Sequence, residues 1–304
     1  MMSNNSSSTP FVSIVLPTYN RAHCIRRSIQ SLLNQTYQNF EIIVADDAST
    51  DNTSEIIDKI NDQCICYIKH RERRGANAAR NTGILAAKGK YIAFQDSDDE
   101  WLPDKLSCQI EALEQSDISV CFGGFWRIKG EKKKYIPEVG RNVKNGVKNW
   151  HYDLLEGNFF ATPTLLVTKE LIFEAGLFDE TLPRLQDWEL ALRLAKLTPF
   201  MFIDRPLLKA YQQQDSITGK KELYRQAVEQ IIRKHQKDFD RYPPGLIIQY
   251  LNMGGHALST KELSVFFFYL FKAAKLTIKN CLKSHSLETI RSLTMRIAAF
   301  LKKQ

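Results

Sequence analysis

The chain has 304 residues, 43% of them hydrophobic and 25% charged, the balance of a globular protein with a sizeable core and not of a disordered or fibrous chain. The longest late apolar run, Val265 to Phe271, falls far short of the roughly 20 residues that a membrane-spanning helix needs. The formal charge of +8 is uneven: His256 to Gln304 holds nine Lys/Arg and two Asp/Glu, against 33 and 32 in the remaining residues, so an anionic partner is expected only at the carboxyl end.

The opening MMSNNSSSTP has no basic stretch followed by an apolar one; it reads as a disordered tail over residues 1–10 and not as a secretory leader. Phe11 to Leu16 then has the composition of a buried strand, broken by Pro17-Thr18-Tyr19-Asn20. Ala22 to Asn34 places Ile25, Ile29, Leu32 and Leu33 on one helical face. A second strand, Glu41 to Ala45, ends at Asp46-Asp47, and a third spans Cys64 to Ile68. Gly75 to Ala87 is rich in small residues, as a helix pressed closely on a sheet would be. The alternation predicts right-handed βαβ crossovers and a mostly parallel sheet.

The next strand, Tyr91 to Phe94, delivers Asp96-Ser97-Asp98-Asp99 at its carboxyl end. Three clustered carboxylates repel one another, and two readings stand for them alone: a divalent-cation site of hard oxygen ligands, or a polar loop of helix-capping acids before Pro103. Ligands of parallel sheets bind beyond the carboxyl ends of the strands. Three polar breaks fall there, at Thr18-Tyr19-Asn20, Asp46-Asp47 and Asp96-Ser97-Asp98, which favours a nucleotide-type site over loop decoration.

Downstream, Leu106, Ile110 and Leu113 mark a helix and Ile118 to Phe122 a strand. Gly123 to Trp150 reads as a basic solvated hairpin, Ala161 to Thr164 as extended chain before proline, and Lys169 to Ala175 as a short helix stopped by Gly176. Asp187 sits at the first turn of a helix buried through Leu190, Leu194 and Leu197, where the dipole favours its ionised form; a plain cap explains it equally well. Phe200 to Leu208 reads as strand, Tyr211 to Thr218 as a polar loop, and Lys220 to Arg241 as one long helix. Two helices joined near Gly254-Gly255 follow, then a basic amphipathic helix over Ser286 to Lys303. That tail fits either an anionic membrane surface or a helical hairpin packed on the body. The six cysteines form no Cys/His cluster, and free thiols in a reducing cytoplasm are expected.

VSIVLPTYNR at Val12 to Arg21, LLNQTYQNFEIIVADDASTDNT at Leu32 to Thr53, ARNTGILAAKGKYIAFQDSDD at Ala79 to Asp99 and GLFDETLPRLQDWELALRL at Gly176 to Leu194 together resemble the family 2 inverting glycosyltransferases of bacterial surface-polysaccharide assembly. The resemblance covers about two-thirds of the chain. It implies a GT-A fold, an α/β domain over residues 11–219 with a basic helical extension over 220–304. It implies metal-dependent transfer from a nucleotide-diphosphate sugar, a UDP-sugar foremost, to a hydroxyl of a cell-surface glycan or lipid-linked precursor. Tyr19 then lies against the base beside Pro17, Thr18 and Asn20; Asp47 meets a uracil nitrogen with Asp46 beside it; Arg80 lies near the nucleotide-sugar. Asp96 and Asp98 match the Asp-Xaa-Asp motif for Mn²⁺ or Mg²⁺, Asp98 as the direct ligand, and Asp187 matches the general base.

Two departures stand out. Gln186 replaces the Glu that often precedes the base, and the loop from Tyr211 to Thr218 has no histidine, leaving Asp215 as a candidate further ligand. The competing readings are a nucleotide-sugar-binding protein without transfer, and a nucleotidyltransferase, which would need a glycine-rich phosphate loop that Pro17 to Arg21 does not supply. No nucleic-acid partner is expected, and the expected location is cytoplasmic, peripheral on the inner face of the plasma membrane.

Overall fold

The structure, a computed structural model, describes residues 11–137, 145–159, 161–212 and 221–284. The expected tail over residues 1–10, Asp215 and the helix over Ser286 to Lys303 lie outside them. The chain forms two compact units. The first comprises Met1–Asn149, Phe160–Glu180 and Arg193–Gln213; the second comprises Trp150–Phe159, Thr181–Leu192 and Gln214–Gln304.

In the first unit the expected alternation is present: β1 (Val12–Thr18), α1 (Ile25–Leu33), β2 (Phe40–Asp46), α2 (Thr53–Asp58), β3 (Ile65–Lys69), α3 (Ala76–Ala86) and β4 (Tyr91–Phe94). β1 pairs in parallel with β2 on one side and β4 on the other, and β2 pairs in parallel with β3. Every residue of β1 and β4 is buried, which is why both read as largely apolar stretches and not as alternating ones. β1 continues through Pro17 to Thr18, in register with Ala45 and Asp46. Small residues let α3 lie close: a Cβ on Gly83 would stand 2.5 Å from the Val15 side chain, and in the turn after the helix one on Gly89 would stand 2.6 Å from the Ser13 nitrogen.

The sheet continues with β5 (Glu100–Trp101), α4 (Lys105–Glu114), β6 (Val120–Lys129), β7 (Lys132–Ile136) and β8 (Gly146–Lys148). After α5 (His151–Glu156) in the second unit come β9 (Leu166–Thr168), α6 (Lys169–Glu174), α7 (Gln186–Leu197), which the unit boundary divides after Leu192, and β10 (Phe200–Tyr211). The sheet order is β3-β2-β1-β4-β9-β6-β10-β5. Beyond β4 the sheet is mixed, because β9 runs antiparallel to both β4 and β6. β6 extends past Phe122 and forms with β7 the basic hairpin, whose Lys132, Lys133 and Lys134 are all exposed. Thr162 to Thr164 is a 3₁₀ turn and not extended chain; Thr164 Oγ1 donates to the Ala161 carbonyl at 2.7 Å and closes it.

The second unit is helical. The helix expected over Lys220 to Arg241 is two, α8 (Lys221–Lys234) and α9 (Gln236–Arg241). The break is at buried His235, whose Nε2 lies 3.2 Å from Glu189 Oε1. α10 (Pro243–Ser259) runs straight through Gly254-Gly255, and the turn to α11 (Leu263–Ser284) falls instead at Thr260 to Glu262. Thr260 Oγ1 donates to the Ala257 carbonyl at 2.9 Å, and Lys261 adopts a φ of 63°. A Cβ on Gly254 would meet Phe266 and Tyr269 of α11 at ordinary van der Waals distance, so the packing of the two helices does not itself require the glycine. Ile247 and Leu251 of α10 pack there on Ala273. Trp188 Nε1 and Gln249 Nε2 donate to the carbonyls of Leu154 and Leu155, tying α5 into the same unit.

Candidate active site

In the first unit the carboxyl ends of β1, β2 and β4 gather the polar residues singled out by the sequence. The loop after β1 is pinned to the loop after β2. Asn20 N donates to Ser49 Oγ at 2.9 Å, Thr50 N to Asn20 Oδ1 at 2.8 Å, and Ala22 N to Asp51 Oδ2 at 3.0 Å. Asn20 has a φ of 52°, a left-handed conformation that asparagine tolerates through such local bonds. Despite partial burial, hydrogen bonds from Thr53 and from the Ala22 nitrogen draw the Asp51 carboxyl below its usual range.

The two adjacent acids do different work. Asp46 is fully buried; its oxygens accept from Ser49 N at 2.7 Å and the Tyr67 hydroxyl at 2.6 Å. The same contact, after burial, pushes the Tyr67 phenol up. Asp46 therefore holds the loop from beneath. Asp47 is 3% exposed. Its Oδ1 accepts from Arg74 N at 2.7 Å and meets His70 Nδ1 at 2.9 Å, and its Oδ2 accepts from Gly75 N at 2.7 Å. A carboxylate only accepts, so His70 Nδ1 is the donor. His70 Nε2 lies 2.9 Å from Thr82 Oγ1 of α3. Asp47 thus organises the loop His70 to Gly75 that leads into α3.

That loop brings a residue the sequence reading did not single out. The Arg73 guanidinium lies 4.1 Å over the Tyr19 ring. The basic run His70-Arg71-Glu72-Arg73-Arg74, directly before a helix and on the ligand-binding edge, was the available signal.

Arg80 is 5% exposed and donates from Nη2 to Asp96 Oδ1 at 2.8 Å. Its guanidinium also lies 5.5 Å from the Phe178 ring. Arg80 Nε and Nη1, Thr18 Oγ1 and Gln95 Oε1 are buried without hydrogen-bond partners among the described residues. Unmet buried polar groups cost about 1–3 kcal/mol each, so four such atoms on three residues call for a functional account. Asn81 of the same helix exchanges bonds with the Phe178 backbone at 2.9 Å and donates to Glu180 Oε1.

The acidic segment after β4 is not uniform. The Asp96 side chain is one-third exposed, with only Oδ1 on Arg80. Asp98 is half-buried, and its carbonyl accepts from Arg27 Nη2 at 2.6 Å. Asp99 is buried and accepts from Tyr211 N at 3.1 Å. Burial first, then the charges of Asp96 and Asp98, drive the Asp99 carboxyl well above the ordinary range. Asp99 is turned inward onto the β10 backbone and caps no helix, while Asp96 and Asp98 are the more accessible carboxylates of the segment. No cluster of three or more metal-ligating side chains occurs among the described residues. Two hard oxygen donors suit Mg²⁺ or Mn²⁺ when substrate phosphates and water supply the rest of the shell, so the residues present fit a cation shared with a diphosphate.

Asp187 belongs to the second unit, in the first turn of α7. Its Oδ1 accepts from Trp188 N at 2.8 Å. Arg184, whose own pKa is lowered by burial against the opposing effect of Tyr224 and Asp187, is a charged neighbour. Glu189, one residue after buried Trp188, is fully buried between Lys234 Nζ at 2.8 Å and His235.

This architecture is the GT-A glycosyltransferase fold. Staphylococcus aureus TarS residues 1–349, solved with UDP-GlcNAc, superimposes with a TM-score of 0.61 at 17% identity, over 90% of this chain and 92% of that one. The mannosyltransferase PcManGT from Pyrobaculum calidifontis, solved with GDP-Man and Mn²⁺, gives 0.59 at 19% identity, over 97% and 81%. The chain belongs to glycosyl transferase family 2, whose sequence profile matches residues 13–173. An uncharacterized glycosyltransferase from Rickettsia felis is 37% identical over 207 residues, 66% of this chain and 34% of the relative. The Escherichia coli UDP-Glc:alpha-D-GlcNAc-diphosphoundecaprenol beta-1,3-glucosyltransferase WfaP is 44% identical over 115 residues, 38% of this chain and 46% of the relative. The matches thus span between about a third and a half of these relatives' lengths.

Proposed function

We propose that the chain is an inverting, metal-dependent glycosyltransferase that moves a sugar from a UDP-sugar to a hydroxyl of a cell-surface glycan or its lipid-linked precursor, working at the inner face of the plasma membrane. One observation carries the reading: Tyr19, Asp47 and Asp96 lie at the ends of adjacent parallel strands, and Arg80, bonded to Asp96, keeps two buried nitrogens without partners. Family membership supports it, as do the nucleotide-sugars with which TarS and PcManGT were solved, the Mn²⁺ of the latter, and the diphosphoundecaprenol acceptor in the name of the E. coli relative. Functionally, residues 11–219 are the catalytic body and 220–304 a basic helical extension.

In this reading the base stacks on Tyr19, with Pro17, Thr18 and Asn20 shaping its rim. Asp47, held by Asp46 and its loop from below, faces the uracil edge. The unpartnered Arg80 nitrogens donate to anionic oxygens of the diphosphate. Asp98 and Asp96 would hold the cation, which when bound neutralises the charge growing on the leaving diphosphate. Asp187 accepts the proton of the attacking acceptor hydroxyl. A single displacement inverts the anomeric carbon, so no enzyme nucleophile is required.

The test is a panel of nucleotide-sugars with the full-length protein, with and without chelator. The expected result is turnover of a UDP-sugar that EDTA abolishes and Mn²⁺ restores. Binding of UDP-sugars without turnover under any condition would favour the alternative, a nucleotide-sugar-binding protein that has lost transfer.

A further inference from the structure

Six of the large hydrophobic side chains exposed among the described residues lie on one helix, α11. At about 100° per residue, Leu263, Phe267, Phe271 and Ile278 fall within an arc of about 80°. They are 57%, 61%, 69% and 60% exposed. The opposite side of α11 is spent on α10: Tyr269 and Ala273 are buried, and the Tyr269 hydroxyl donates to Glu229. The apolar stripe is thus the outer face of a helix already packed within its unit. Beside it run Lys275 and Lys279, both exposed. From Leu263 to Ser284 the helix contains no Asp or Glu.

We infer that this face of α11 docks on an anionic lipid surface, the phenylalanines at the boundary between acyl chains and headgroups and the lysines on the phosphates. An amphipathic helix with aromatic residues on one side and lysines at its border has the composition of helices that lie in that plane. Charge excludes the simplest competitor. Two copies paired face to face through α11 would set lysine against lysine with no carboxylate on the helix to answer them, whereas anionic headgroups attract each lysine. The helix lies on the bilayer and does not span it, since among the described residues no helix is long and apolar enough to cross a membrane. The inference names the surface where a lipid-linked acceptor would be met, and rests on the proposed function only for that purpose.

The experiment is co-sedimentation of the full-length protein, without donor, on vesicles of phosphatidylcholine alone or with phosphatidylglycerol. UDP-sugar hydrolysis in free solution is measured in parallel. Wild type should sediment with the anionic vesicles only, and the combined Phe267→Ser and Phe271→Ser variant should lose at least tenfold in apparent affinity. Lys275→Gln and Lys279→Gln should each cost about fivefold. Because these side chains are exposed, the variants should keep wild-type circular dichroism and hydrolysis. Failure of wild type to sediment, or serine variants that bind like wild type, would overturn the docking face. So would a concentration-dependent dimer abolished by the serine substitutions in place of vesicle binding. Vesicle binding with the expected losses, in a protein that hydrolyses no nucleotide-sugar, would uphold the docking face and overturn the enzymatic reading instead.

Discussion

Asp47→Asn separates two roles that one carboxylate is asked to fill. The native side chain takes two donors on Oδ1, Arg74 N and His70 Nδ1, and one on Oδ2, Gly75 N. An asparagine keeps one acceptor oxygen. The cheaper orientation leaves that oxygen on the two donors and turns the amide toward Gly75 N, setting donor against donor. A hydrogen bond to a charged group contributes about 1.5–3 kcal/mol, and an unmet buried donor costs a similar amount. Allowing for weakening of the two retained bonds, a destabilisation of about 2–4 kcal/mol is expected. Urea denaturation should show a lower midpoint with an unchanged slope, and calorimetric UDP affinity should fall with it as the loop His70 to Gly75 loosens. A stability change below about 0.5 kcal/mol together with a large loss of UDP affinity would refute the reasoning: Asp47 would then serve the nucleotide alone and the loop would stand without it.

Arg73→Ala removes the guanidinium that covers Tyr19. An exposed cation–π contact is worth about 0.5–1 kcal/mol, so uridine, which carries no phosphate to attract the arginine, should compete about two- to fivefold better; weaker competition would mean that Arg73 helps to hold the base. Lys105 is fully buried, its Nζ 2.6 Å from Gln109 Oε1 and 3.8 Å from the Trp101 ring centroid, and burial brings its pKa down to about 7. Unfolded, it keeps its proton to about pH 10.4, so between these values the unfolded state binds more protons and stability rises with pH. The penalty is fully present below pH 7 and relieved toward pH 10. With part of it offset by the Trp101 contact, wild type should gain about 2–4 kcal/mol over that window, and Lys105→Met should flatten the gain in denaturation curves; an equal slope in both proteins would contradict it.

Much of the first unit was legible because its central strands β1 and β4 are buried along their whole length and so read as largely apolar stretches, while the edge strand β3 kept enough apolar residues to be seen despite its exposure. Phe11 to Leu16, Glu41 to Ala45 and Cys64 to Ile68 each sit within a residue or two of β1, β2 and β3. The polar breaks that end β1, β2 and β4 fall where the sheet edge gathers them. What stayed hidden depends on partners distant in sequence. The donors to Asp47 lie 23 to 28 residues away, so the sequence could not show that the loop also uses the carboxylate expected to meet the base. Lys105 in an amphipathic helix reads as solvated until Trp101 and Gln109 are seen around it. In the second unit a glycine pair suggested a break, yet each costs a helix only about 1 kcal/mol, and α10 continues through both. His235, where the helix breaks, meets Glu189, 46 residues earlier.

The most direct test of the central claim is the transfer rate of Asp187→Asn against wild type, with UDP affinity measured on the same preparations. The substitution keeps the shape of the side chain and an oxygen for the Trp188 nitrogen while removing the capacity to accept a proton. The account predicts a rate at least a hundredfold lower, in the range general-base catalysis contributes, with UDP affinity within about twofold of wild type. Transfer at the wild-type rate would contradict it, since Asp187 would then not be the base.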